Sequence, residues 1–234
     1  MTILVMSLKI NNWKKIAKWL IWAGLVVLFI VFIARVAIFE YGYYNEKDGS
    51  ERAILALKDD EEEEELIEEE PTEVEIVEYT VAPDRPRSLT IEKLGIYNAR
   101  VLAMGVKPTG ELMAPNNIFD AGWYESSGKP GQGGTMIVDG HNGGPHVHGI
   151  FKDLPNLSEG DLITIERGDG VIYKYKVVEN KSVLLSEANA YMSVAAKSPE
   201  PGKESITIIT CTGEWSDVQD TYLSRQFTRA ILVE

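Results

Sequence analysis

The feature that most constrains this chain is a run of 21 residues, 19–39, reading WLIWAGLVVLFIVFIARVAIF. It is apolar on every side and carries one charge, Arg35, near its far end. As a helix rising about 1.5 Å per residue it is roughly 31 Å long, enough to cross a bilayer core. A helix buried in a soluble core keeps a polar face, and a secretory signal has a shorter apolar stretch closed by a small-residue cleavage site. The pattern therefore predicts an uncleaved transmembrane anchor. Trp13, Trp19 and Trp22 suit one interfacial belt, Tyr41, Tyr43 and Tyr44 the other, and Arg35 can snorkel outward. Lys9, Lys14, Lys15 and Lys18 precede the run, and no acid occurs before Glu40. The positive-inside rule then puts residues 1–18 in the cytoplasm and everything after the span outside. The expectation is a single-pass type II membrane protein.

Residues 40–80 read as an extracytoplasmic tether. Thirteen acids and no base lie between Asp59 and Glu78, in a chain whose net charge is −13. The rest of the protein is thus neutral, and the charge belongs to one self-repelling, extended or weakly helical segment. Neither part suits a nucleic-acid partner. A tether of this length reaches a few tens of ångströms, at about 5–6 Å times the square root of its residue number.

From residue 81 the chain becomes β-rich, with short apolar and β-branched runs separated by Gly, Pro, Asn and Asp. Strands are expected at 88–93, 134–139, 161–167, 171–178, 205–211 and 226–233, with a hairpin turning at Asp169-Gly170 and a short helix over 187–195. Closely spaced strands with few helices predict one all-β barrel or sandwich over 81–234. TGEWSDVQDTYLS, after the strand ITIITC, reads as a loop.

The chemistry-bearing residues are few. The chain holds a single cysteine, Cys211, so it forms no intramolecular disulfide and no multi-cysteine metal site. A lone cysteine can be a small buried hydrophobe, but this one sits where a β-run meets a Gly-containing loop, a place where scaffolds expose reactive groups. A thiolate attacks carbonyls well and needs a neighbour, usually a histidine, to acidify it. All three histidines, His141, His146 and His148, lie in VDGHNGGPHVHGIF. Glycines flank His141 and permit close approach of backbone and substrate. His146 and His148 form a His-x-His pair, but no cysteine or carboxylate cluster completes a metal site, so neither metal nor cofactor is expected. Arg225 precedes the last strand; as a fixed cation it can hydrogen-bond an oxyanion but cannot act as a base.

Taken in order, five segments resemble the sortase family of membrane-anchored cysteine transpeptidases of bacterial, mostly Gram-positive, surfaces. RSLTIEKLGIYNARVLAMGVKPTGELMAPNN resembles its opening strands and AGWYESSGKPGQGGTMIVDGHN the approach to its histidine. GIFKDLPNLSEGDLITIERGDGVIYKYKV resembles the segment that follows, ITIITCTGEW the cysteine strand, and TYLSRQFTRAILVE the arginine strand. AGWY, TCTG and the tyrosine three before the arginine resemble class F most, with classes E and D as alternatives.

The resemblance implies a mainly β fold, an eight-stranded barrel with short helices behind the anchor. It implies Cys211 as nucleophile, His141 as the catalytic histidine, and Arg225 as the oxyanion-binding arginine, with Arg229 as the fallback. It puts Thr210 on the peptide groove, and Trp123 and Asn142 beside it as substrate-binding residues. The implied substrates are secreted proteins with an LPxTG-like C-terminal sorting signal. The acceptor is an amine of a cell-wall precursor or a pilin lysine. Two positions depart from the family pattern: Asp139, two before the histidine where an uncharged residue is usual, and the insert PHVHG. Two other functions stay open on the residues alone: a surface cysteine peptidase using water, and a non-catalytic anchored β-module binding wall polymer or a partner.

Overall fold

The computed structural model describes residues 66–107, 110, 112–144 and 146–234; before these it describes only Ile33 and Arg35, both helical. The expected cytoplasmic segment, nearly all of the expected transmembrane helix, and the tether as far as residue 65 lie outside the described residues. Among the described residues no helix is long and apolar enough to cross a membrane.

Residues 65–234 form one compact unit. Its first helix, α1 (Glu73–Glu78), starts at a T-x-x-E capping box: Glu75 N–H donates to Thr72 Oγ1 (3.3 Å), and Thr72 N–H donates to the Glu75 carboxylate (2.8 Å). The other end is held by Arg87, whose guanidinium donates to the carbonyls of Ile76, Val77 and Tyr79. Tyr79 in turn donates its hydroxyl to Val101 O (2.8 Å). The last part of the acidic segment is therefore hydrogen-bonded to the folded domain.

Eight strands close a barrel: β1 (Pro86–Ile91), β2 (Ile96–Met104), β3 (Ala121–Tyr124), β4 (Thr135–Asp139), β5 (Leu162–Arg167), β6 (Ile172–Leu184), β7 (Ser205–Ser216) and β8 (Thr221–Leu232). The order around the barrel is β1-β2-β3-β4-β7-β8-β6-β5. The pairs β2–β3 and β4–β7 are parallel and the others antiparallel. The expected hairpin is present between β5 and β6, where Gly170 takes φ +82° and Arg167 N–H donates to Val171 O (2.9 Å).

Alternation along the strands sorts side chains onto two faces. Met136 and Val138 of β4, Ile206 and Ile208 of β7, and Ala230 of β8 point into the barrel with Leu89, Ile163, Tyr175 and Phe151. Ile137, Ile209 and Phe227 point outward, where helix α2 (Leu185–Ala195) covers them with Ala188, Tyr191 and Ala195; Tyr191 meets Phe227 edge-on at 4.8 Å. Asp139, Cys211 and Arg225 follow the outward alternation, just past the helix-covered cluster.

Of the segment expected as a loop after Cys211, only residues 217–220 form a turn; the rest extends β7 and β8. A bulge between Thr212 and Trp215 absorbs Gly213, at φ +87°, and lets pairing resume at Trp215↔Tyr222, whose rings meet at 5.2 Å. The glycine and acids that read as a loop mark an irregular ladder.

Candidate active site

The parallel register of β4 on β7 assembles the site. It runs without slippage from Thr135↔Ser205 to Asp139↔Ile209. Continued two residues past the end of β4, it sets His141 beside Cys211. Two side chains pin that continuation: Thr210 Oγ1 donates to Gly140 O (2.8 Å), and Asn142 Nδ2 donates to Cys211 O (2.8 Å). On the other side of β7, Cys211 is the register partner of Arg225. The β7–β8 pairing and the continuation of β4 thus bring His141 to the Cys211–Arg225 pair, 70 residues further along the chain.

Cys211 is partly exposed, and its burial raises the thiol above its ordinary value; Arg225 opposes that rise, and Asp139 adds to it. The imidazole of His141 is oriented by a backbone group: its Nε2–H donates to Pro115 O (2.7 Å). A carbonyl can only accept, so Nε2 carries a proton and Nδ1 is the nitrogen free for chemistry. Among the described residues no hydrogen bond joins the Cys211 thiol to His141; such contacts commonly tighten only when substrate binds.

The chain on either side of His141 is packed too closely for side chains at Gly140 and Gly149. A Cβ on Gly140 falls 2.6 Å from the Phe151 ring, and one on Gly149 falls 2.5 Å from His141 O. Phe151 N–H donates to His141 O (3.0 Å), and Gly149 N–H donates to Asn142 O (2.8 Å). A bridge joins Gly143 to His148, and His146 and His148 are exposed.

The two candidate arginines have different surroundings. Arg225 is partly exposed, and its guanidinium is steadied by Tyr222 O (2.9 Å), Ser224 O (3.0 Å) and Thr221 Oγ1 (3.3 Å). Arg229 is 5% exposed. It is paired with Glu179 and donates to Val194 O (3.1 Å) and Lys197 O (2.8 Å), the carbonyls ending α2. Arg229 is thus committed to docking that helix.

Two expected groove residues are placed differently. Thr210 is 2% exposed on the inward face of β7, and its hydroxyl is occupied by Gly140, so it positions the His141 loop from behind. Trp123 is 1% exposed in the barrel core, with its indole N–H donating to Gly128 O (3.0 Å). Its position in a short apolar strand, read from its neighbours alone, carries no mark of facing inward. Pro115 was not visible as a site residue in the sequence: its carbonyl acts through a backbone atom, and residue identity gives no signal for that.

A sequence model described as the sortase domain matches residues 89–233. No curated protein matches the chain. Among solved structures, the chain is similar to a sortase D5 transpeptidase of Clostridium perfringens, at 20% identity over 70% of this chain and 90% of that one, with a TM-score of 0.45. It is similar to a pilus-related sortase C of Group B Streptococcus, at 20% identity over 67% of this chain and 70% of that one, with a TM-score of 0.46. A sortase A of Corynebacterium diphtheriae matches at 23% identity over 66% and 62%, with a TM-score of 0.45. With the domain match spanning more than half its length, the chain belongs to the sortase family.

Proposed function

We propose that this protein is a cysteine transpeptidase that cleaves an LPxTG-like C-terminal sorting signal and passes the substrate protein to an amine on the cell surface. Cys211 is the nucleophile, His141 the general acid and base, and Arg225 the oxyanion donor. The observation that supports the reading is the register of β4, β7 and β8: Cys211 pairs with Arg225, and the Asn142 side chain, next to His141, donates to Cys211 O.

Burial favours the neutral Cys211 thiol, which transfers its proton to Nδ1 of His141 as it attacks. The sulfur bonds to the carbonyl carbon of the Thr–Gly peptide, and the carbonyl electrons move to oxygen. Arg225 stabilises that oxyanion, a role worth about 10²–10³ in rate for one donor. Collapse of the tetrahedral species breaks the C–N bond, and His141 gives its proton to the departing glycine amine. The thioester is resolved by an amine whose proton returns to Nδ1, and then Cys211 leaves as thiolate and is reprotonated.

The apolar run at 19–39 and the charge order before it support a type II anchor with the barrel outside the membrane, where secreted substrates and wall precursors meet. The test uses the full chain in detergent with a library of sorting-signal peptides and an added amine, read by mass spectrometry. A thioacyl adduct on Cys211 and an amine-ligated product are expected. Cleavage that ignores the amine would identify a hydrolase, and absence of both adduct and cleavage would remove the enzymatic reading.

A further inference from the structure

The carbonyl that orients His141 belongs to a loop that is itself fastened by the end of the acidic segment. Ile67 N–H donates to Asn116 O (2.9 Å), Ile118 N–H donates to Ile67 O (3.0 Å), and Asn117 Nδ2 donates to Glu69 O (3.0 Å). These three bonds grip the residues immediately after Pro115 as a short parallel strand would. Between them Glu68 reaches the loop that follows His141: its Oε1 accepts from His146 N–H (2.9 Å). Gly144 makes room for this contact, since a Cβ there would fall 2.1 Å from Glu68 Oε1. The sequence carries a trace of the arrangement. Leu66 and Ile67 are the only apolar residues inside the block DDEEEEELIEEE.

We propose that residues 67–69 are a positioning element for His141, holding both the loop whose Pro115 carbonyl accepts from the imidazole and, through Glu68, the backbone of His146 in the loop that follows His141. The tether is then more than a spacer, because its final residues complete the catalytic geometry. A pull or displacement at this end of the tether reaches His141 through two hydrogen-bonded steps. The proposal rests on the reading of His141 as general acid and base.

The experiment uses the full chain in detergent, with histidine side chains ¹⁵N-labelled and His146→Gln and His148→Gln forms to assign His141. Ile67→Pro deletes the N–H that bonds Asn116 and keeps an apolar residue. Glu68→Ala deletes the carboxylate, and Glu68→Gln keeps an acceptor oxygen. Misplacing a catalytic group costs up to about 100-fold in rate. Both deletions are expected to shift the His141 Nε2 resonance and to lower kcat about 10- to 100-fold. KM for the sorting peptide should stay within about twofold, and Glu68→Gln should restore most of the loss. If Ile67→Pro fails to fold, the Glu68 pair decides alone. Unchanged His141 resonances in folded Glu68→Ala protein would overturn the proposal. A parent protein with no transpeptidation would remove the proposed function, while the resonance shifts would still decide whether residues 67–69 set the imidazole.

Discussion

Arg225 has Cys211 as its register partner across the β7–β8 ladder and Val183 on its other side, in β6. The cation is thus fixed beside the sulfur by a paired strand on each flank. Its guanidinium is held in one orientation by two carbonyls and a hydroxyl. Arg225→Lys keeps the charge and loses the fork. It should lower kcat/KM by about 10²–10³, mostly through kcat, with the melting temperature little changed. Steady-state kinetics beside thermal melts check this, and a lysine variant with parental kcat would remove Arg225 from the oxyanion role.

Arg229 should behave in the opposite way. Its guanidinium is almost wholly buried, and Glu179, which also accepts from Tyr191 Oη (2.7 Å), is its counter-charge. Glu179→Ala strands a buried cation and releases the end of α2. Removing one partner of a buried pair costs about 3–5 kcal/mol, and the partial exposure of Glu179 points to the lower end. The expected result in denaturant unfolding is a loss of about 3 kcal/mol, with kcat per folded molecule retained. An unchanged unfolding midpoint would contradict the docking role.

The contrast between the two arginines shows what the sequence can and cannot carry. That Cys211 and Arg225 share one ladder follows from two strong β-runs that the sequence displays, and His141 follows a third. The barrel was legible for the same reason: Ile163, Ile165, Ile206 and Ile208 sit at period-two spacing. The irregular continuation of β7 past Gly213 was not, because a bulge has the composition of a turn. Pro115 was invisible because it acts through its carbonyl. Thr210 was assigned to the groove, yet one step of the pleat puts its hydroxyl on the inner face. Trp123, expected beside the groove, is buried in the barrel core, and an aromatic at such a position reads equally as platform or core.

Trp123 therefore makes a prediction of its own. It is buried against β2 and β4, as the partner of Ala103 and Val138. Trp123→Ala removes a large core side chain and frees the carbonyl of Gly128. Truncations of this kind cost about 3–5 kcal/mol. Chemical denaturation should show that loss, while KM for the sorting peptide in the remaining folded protein stays near the parent value. A large rise in KM at unchanged stability would return Trp123 to the groove.

Asp139 sets the pH dependence. It stands on the outward face of β4, in register with Ile209, two residues before His141 and within the fields of Arg225 and Cys211. Although it is partly exposed, the protein packed around it pushes its carboxyl up to about 7, against the opposing pull of the Gly140 amide and Arg225. An unfolded aspartate ionises near 4. Between about pH 4 and 7 the unfolded chain has released a proton that the folded chain keeps, so Asp139 lowers stability as pH rises through that window. Below it the residue contributes nothing, and above it the full penalty is present. Asp139→Asn should flatten the fall and make the protein more stable than the parent at pH 8. The ionised carboxylate also disfavours a neighbouring thiolate. The same variant should therefore move the midpoint of Cys211 alkylation to lower pH. Mass-spectrometric labelling rates from about pH 7 to about pH 11, a window set above the ordinary thiol range because burial raises Cys211, measure this directly. A midpoint unmoved in Asp139→Asn would show that the Asp139 charge does not reach the sulfur.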